Sequence, residues 1–292
     1  MIRVGPAGWS YADWVGPIHP RAELRGTGDL VRLLQVFSCV EINVSFYRDP
    51  PPEHQERWLQ AATAHAPAKL PLKLHQRFTH ERALATPRAL HSALDAWRNN
   101  LAPWIQSPAR GPLLVQFPFS FAPTPRNVRY LAALLEGLMD LRPVLELRRK
   151  AWLEADRLDP WTERGVSLAA IDLPTHDEHP PLIARGPIGY VRLHGRAQDA
   201  WFKKDATRDE RYDYLYSQAE LRPVAALAQQ LEAQTDEVYV VTNNHFAGKA
   251  VANGVELLAL LHLAPAAVPT PWLHNFGHLV GLAPGSGPAE LF

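Results

Sequence analysis

Apolar positions along this chain recur in two rhythms. Short runs rich in Val, Ile, Leu and aromatic residues, at 2–7, 39–46, 70–75, 113–117, 144–147, 167–173, 188–194 and 238–243, predict eight β-strands. Between most of them the apolar residues fall three and four apart, which predicts amphipathic helices. Thr86-Pro87 and Thr124-Pro125 each supply an N-cap threonine and then a proline at the first helical position, where no amide hydrogen is missed. Pro50, Pro51 and Pro52 before Glu53 open another helix, which buries Trp58 and Leu59. Asp29 precedes one helix, and Gly248 lies near the start of another. The stretch 173–187 is too rich in proline for a helix, and Pro223 is expected to break or restart the helical pattern of 214–233.

Eight strands alternating with helices predict a parallel α/β fold, either a closed barrel or an open doubly wound sheet. The phosphate-binding glycine patterns of the open fold are absent: no G-x-G-x-x-G follows a strand and no P-loop occurs. The count of eight and the length of 292 residues favour a single TIM-type (β/α)8 barrel with its sixth helix short or missing. The barrel is expected over 1–263, and the proline-rich 264–292 reads as a tail packed on it or partly loose.

The strand at 39–46 alternates Val40, Ile42, Val44 and Phe46 with Glu41, Asn43 and Ser45, so one face is oily and the other polar. The working face of such a barrel lies at the carboxyl ends of its strands. There the alternation gathers Trp9; Glu41, Asn43 and Ser45; Lys73; Gln116; Glu146 and Arg148; Asp172; Arg192, His194 and Arg196; and Asn243 with Asn244. A core built for stability alone would use Val, Ile and Leu in these layers. Any one charge could belong to a structural pair, with Glu41, Glu146 and Asp172 neutralising Lys73, Arg148 and Arg192. The whole set points to function, because burying several charges is costly before pairing.

Composition narrows the classes. Hydrophobic residues make up 47% of the chain, enough for a sizeable core, and 30 basic residues balance 30 acidic ones. That balance argues against a surface built throughout for polyanions, but leaves room for a local basic cleft. Cys39 is the only cysteine, so neither an internal disulfide nor a cysteine zinc site can form, and it reads as a small buried hydrophobe. The first residues read as a strand rather than a signal peptide, and no apolar run approaches a membrane span. A cytoplasmic location and no membrane partner are expected; the oligomeric state is not legible.

Gly8 allows a tight turn before Trp9, which is the rim aromatic chosen as a ligand contact. The charged run Lys203, Lys204, Arg208 and Arg211 after the seventh strand reads as a solvated face or as a lid over the mouth. His75 and His80 flank the loop after Lys73 and carry little weight alone.

The segments GPAGWSYADWVG, VEINVSFYRDPP with Trp58 downstream, LPLKLHQRFTHE, LLVQFPFSF, LELR, YVRLHGR and NNHFAGKAVANG occur in that order over 4–261. Together they resemble the YecE-like family, domain of unknown function 72 (DUF72). The resemblance implies a TIM-type barrel and supplies no activity. Lys73, His80, Glu146, Arg148, Arg192, His194 and both asparagines match the family pattern. The pattern departs at Val44 and at His245, where the family often has an acid, so an acidic role at 245 is not expected.

Three chemistries compete. In the leading one, Arg148, Arg192 and Lys73 hold a phosphate- or carboxylate-bearing small molecule. Glu41 or Glu146 serves as general base and His194 as acid or proton shuttle, with Lys73 also a catalytic candidate. Asn43, Gln116, Asp172, Asn243 and Asn244 then contact the substrate, in an isomerase, lyase or hydrolase. No cofactor is predicted under this reading. In the second, Glu41, Glu146, Asp172 and His194 hold a divalent metal. In the third, the rim arginines bind nucleic-acid phosphates while Trp9 or Tyr47 stacks a base, which predicts binding with a steep salt dependence.

Overall fold

The computed structural model describes residues 1–20, 26–82, 86–174, 176–203, 205–263, 265 and 267–282. Eight parallel strands form at β1 (Ile2–Pro6), β2 (Leu70–Lys73), β3 (Arg110–Gln116), β4 (Pro143–Glu146), β5 (Ser167–Leu168), β6 (Ala170–Asp172), β7 (Ile188–Leu193) and β8 (Glu237–Thr242). They fall into two four-stranded sheets, β1-β8-β7-β6 and β2-β3-β4-β5, rather than one closed ladder. Every strand pairing within the sheets is parallel, with Gln116 beside Glu146 and Leu193 between Asp172 and Thr242. Within each sheet the strands therefore all end on the same side.

The expected strand at 39–46 is corrected by the structure. Its first half makes only isolated bridges, Ala7 to Glu41, Cys39 to Lys69 and Ile42 to Leu72. At Asn43 the backbone turns helical, with φ −93° and ψ −23°, and Val44–Phe46 forms a 3-10 turn. The Ser45 hydroxyl explains the turn, since it donates to the carbonyls of Ile42 (2.9 Å) and Lys73 (2.7 Å) and so ties the turn to the end of β2. Ser45 thus leaves the face of Glu41. Gly5 lets this segment close on β1: a Cβ there would stand 1.7 Å from the Cys39 carbonyl oxygen. The expected strand at 167–173 is likewise divided, β5 joining one sheet and β6 the other.

The helices are α1 (Thr27–Leu34), α2 (Pro52–Ala64), α3 (Pro87–Asn100), α4 (Ala102–Gln106), α5 (Pro125–Glu136), α6 (Asp159–Thr162), α7 (Gln198–Phe202), α8 (Arg208–Tyr212), α9 (Gln218–Glu232), α10 (Lys249–Leu260) and α11 (Thr270–Asn275). Thr86 and Thr124 cap α3 and α5 through the amides of Ala89 and Asn127, as their threonine-proline pairs predict. Gly248, at φ +79°, caps α10. Among the described residues of 173–187 no helix forms.

Pro223 does not break α9. Ser217 and Glu220 form a capping box at its start, and Leu221, Val224 and Ala225 are buried around the proline, so packing and capping outweigh one missing backbone hydrogen bond. The described part of the expected tail folds back as α11. There Trp272 is fully buried, stacks against Phe37 at 6.0 Å and donates to the Ile18 carbonyl at 3.0 Å. Among the described residues no helix is long and apolar enough to cross a membrane.

Candidate functional site

The parallel strands deliver their polar ends into one buried network centred on Arg192, whose side chain is 1% exposed. Its Nη2 and Nε donate to the two oxygens of Glu41 at 2.8 and 3.2 Å, while Nη1 donates to Glu146 at 2.5 Å. Tyr190, two residues earlier on the same face of β7, donates its hydroxyl to Glu41 at 2.8 Å. Arg148 reaches the other oxygen of Glu146 through Nε and Nη2, both at 3.2 Å. Two carboxylates and two guanidinium groups thus neutralise one another where an isolated charge would be costly. Burial pushes the Glu146 carboxyl up, but Arg192, His194 and Arg148 together overcome it and hold the group well below the usual range.

His194 lies fully buried beside this network, with Nε2 3.2 Å from Glu146 and Nδ1 3.0 Å from the Asn243 amide. Burial keeps the ring neutral, pulling its pKa down to about 3 against the pull of Glu146. A neutral ring with its hydrogen on Nε2 donates to Glu146 and accepts from Asn243, with Arg192 Nη1 packed 3.3 Å from the same Nε2.

Above the network opens a cavity of about 320 Å³. The strand ends line it with Asn43, Lys73, Arg148 and Asn243; α7 and α8 line it with Trp201, Arg211 and Tyr212; Tyr47 and His245 complete it. Among the described residues, three basic side chains face this space and no carboxylate does. Lys73 is 9% exposed, and its Nζ lies 3.8 Å from the centroid of the Phe46 ring. Burial, reinforced by Arg192, lowers its pKa to about 7 in spite of Glu146 and Glu41. His80 packs edge-on against the same Phe46 ring at 4.9 Å, and burial with the nearby Lys73 lowers its pKa to about 4. His75 lies outside the cavity lining, and its Nδ1 accepts from the Arg77 amide.

The expected site residues are therefore sorted into two layers. Lys73, Arg148, Asn43 and Asn243 face the cavity. Glu41, Glu146, Arg192 and His194 form the buried support beneath them, so Arg192 holds two carboxylates of its own chain rather than a surface open to ligand. Asp172 is held elsewhere by Arg196, at 2.8 and 2.6 Å, and by the Tyr216 hydroxyl at 2.8 Å. Asn244 donates to the Tyr214 carbonyl and to Asn253, fixing the chain between α8 and α10. Gln116 is buried with no hydrogen-bond partner for its Oε1 among the described residues. The four groups of the metal reading are not assembled: among the described residues no cluster of three or more His, Cys, Asp or Glu side chains is placed to hold a metal ion.

A second cavity, of about 750 Å³, adjoins the first through the shared walls of Asn43 and Tyr47. Trp9 lies here, edge-on to Trp58 at 5.1 Å, with Tyr11, His54, Arg48 and Arg57 around the same space. Gly8 turns the chain into it at φ +78°, and a Cβ there would meet the Tyr11 hydroxyl at 2.6 Å.

A profile of the family described as "Protein of unknown function DUF72" matches residues 3–275. The chain belongs to the DUF72 family. The resemblance carried by the GPAGWS, VEINVSFY and YVRLHGR segments is thereby borne out over nearly the whole length. The UPF0759 protein YunF of Bacillus subtilis is 28% identical over 281 residues, which span 90% of this chain and 95% of that protein. A DUF72 family protein of Thermotoga maritima, solved by crystallography, superposes with a TM-score of 0.75 at 27% identity, over 90% of this chain and 99% of that one. One from Enterococcus faecalis gives a TM-score of 0.75 at 24% identity, over 92% of this chain and all of the other, and supports the fold alone.

In this DUF72 chain several site residues escape sequence reasoning. Tyr190 could have been found, because it precedes Arg192 and His194 by the same two-residue step. Trp201 and Tyr212 could not, since they lie in a charged segment whose helices are only five residues each. Of the charged run in that segment, Arg211 lines the cavity, while Lys204 and the Arg208 side chain lie outside the described residues. His245, at the position that departs from the family pattern, lines the cavity and stacks on Tyr11 at 4.4 Å.

Proposed function

We propose that the smaller cavity binds a small molecule carrying a phosphate or carboxylate. The observation that carries this reading is the lining itself, in which Lys73, Arg148 and Arg211 face the space with no carboxylate among the described residues. Arg192 and Arg148 together offset Glu41 and Glu146, so the surplus positive charge of the cavity rests on Arg211 and the protonated fraction of Lys73. Arg148 and Arg211 offer planar forks suited to phosphate or carboxylate oxygens. Asn43 and Asn243 supply neutral donors and acceptors for hydroxyls, and Trp201 and Tyr212 cover the apolar part of the ligand.

Neither buried carboxylate is the general base in this proposal. Glu146 accepts from Arg192 and Arg148 and is held ionised, which makes it a weak base; Glu41 is likewise bound by Arg192 and Tyr190. Both carboxylates then act as scaffold, and the amine of Lys73 becomes the group best placed to move a proton. We also propose that the two sheets are the halves of a TIM-type barrel spanning 1–263. In support, the backbone amides of Glu41 and Ile42 donate to the carbonyls of Pro6 and Pro71, bridging β1 to β2, and β5 continues into β6 on the opposite side.

A thermal-shift screen of chelator-treated protein tests the binding proposal. Inorganic phosphate, carboxylates and sugar phosphates should each be offered with and without divalent metal. A ligand at a hundred times its dissociation constant adds about 2.7 kcal/mol to the folded state. Stabilisation by anions in the absence of metal is expected. Stabilisation by metal alone, with anions inert, overturns the proposal.

A further inference from the structure

We propose that Lys73 forms a Schiff base with its ligand, so that the anionic small molecule is a carbonyl compound, a keto acid or a keto- or aldehyde phosphate. This deepens the anion-binding reading and rests on it. Lys73 Nζ makes no hydrogen bond or ion pair among the described residues; its contact is the face of Phe46 at 3.8 Å. The two nearest carboxylates are bound by Arg192, Arg148 and Tyr190, which leaves the amine without a fixed counter-charge. Its backbone is fixed on both sides, the Lys73 amide donating to the Ile42 carbonyl at 3.2 Å and its carbonyl accepting from Ser45 at 2.7 Å. The amine is therefore held at the wall of the cavity beside Arg148, which with Arg211 can hold the anionic end of the same molecule.

A lysine buried against an apolar ring and beside other cations loses its proton easily, and that is the state in which it is a nucleophile. Its lowered pKa, about 7, places a substantial neutral fraction at neutral pH. In the first step the nitrogen lone pair bonds the carbonyl carbon and the C=O π pair moves to oxygen. Water then relays the nitrogen proton to that oxygen, giving a neutral carbinolamine. Protonation of the hydroxyl and loss of water leave the iminium cation, so the balance is amine plus carbonyl plus one proton giving iminium plus one water. No oxidant or reductant is required.

Reductive trapping tests the proposal. The full chain is incubated at neutral pH with pyruvate or dihydroxyacetone phosphate and sodium cyanoborohydride, and then mapped by mass spectrometry. One reduced adduct on Lys73 is expected, lost in Lys73→Arg, suppressed by inorganic phosphate in the wild-type protein, and formed at a rate that levels off above about pH 7. Suppression by phosphate keeps the test valid should Lys73→Arg fold poorly. No adduct, or labelling spread over surface lysines and indifferent to phosphate, overturns it. If phosphate still raises the melting temperature in those samples, the anion site stands and only the Schiff base fails; if it does not, both fail.

Discussion

Arg192 and Glu146 meet at 2.5 Å in the interior, and the same guanidinium holds Glu41 through two further donors. The strands carrying these residues are distant in the chain, so this contact helps to fix how β4, β7 and the 39–42 segment sit together. Removing the arginine leaves two carboxylates that are 0% exposed without their main partner. Arg192→Ala should lose about 3–5 kcal/mol of stability by urea denaturation. A variant as stable as the wild-type protein contradicts the structural role given to Arg192.

Acid should destabilise the protein well before its carboxylates titrate. His194 and His80 have folded pKa values near 3 and 4, below the ordinary 6.5. The unfolded chain then binds more protons between those limits, so the stability from each ring is complete above about pH 6.5 and is lost as pH falls toward its folded value. Each ring contributes a slope of at most about 1.4 kcal/mol per pH unit. Melting curves from pH 7 to 4 should show a steep fall, less steep in His80→Asn. A flat profile over that window contradicts the burial of both rings as neutral groups.

Lys73 acts in the same direction at higher pH. Its folded pKa of about 7 lies below the ordinary 10.5, so the unfolded state binds the extra proton between them and stability rises with pH from 7 upward. Lys73→Met should be more stable than the wild-type protein at pH 7, by about 1 kcal/mol or more, because an apolar chain of similar volume needs no desolvation. It should also lose the rise in melting temperature between pH 7 and 9. A less stable variant that keeps the rise would show that the amine is not desolvated.

Much of this arrangement is legible in the sequence because it follows from strand periodicity. The two-residue step through Arg192 and His194 places them on one face, and parallel strands bring that face together with Glu41, Glu146 and Lys73. Periodicity fails where a side chain captures backbone groups: Ser45 ends the alternation after Asn43 by tying two carbonyls. It also cannot separate a charge facing ligand from one facing another charge. Arg148 and Arg192 look alike in sequence, yet one faces the cavity and the other is sealed beneath it. Asp172 and Asn244 illustrate the same point, since their partners Arg196, Tyr216 and Asn253 come from other elements.

Tyr47 stands on the wall shared by the two cavities and is 52% exposed. Tyr47→Ala should therefore change stability by no more than about 0.5 kcal/mol while weakening the binding of any ligand large enough to reach both spaces. Trp9→Ala, which removes a buried ring packed on Trp58, should cost about 3–5 kcal/mol. Equal stability losses in the two variants, measured by denaturant unfolding, contradict this division between wall and core.

The anion site is tested most directly by isothermal titration of inorganic phosphate into the wild-type protein, Arg211→Met and Arg164→Met. Arg211 lines the cavity, whereas Arg164 pairs with Glu136 on the outer surface. The account predicts one site in the wild-type protein, an affinity about tenfold lower in Arg211→Met, equivalent to about 1.4 kcal/mol, and no change in Arg164→Met. Phosphate that does not bind the wild-type protein, or binds all three alike, contradicts it.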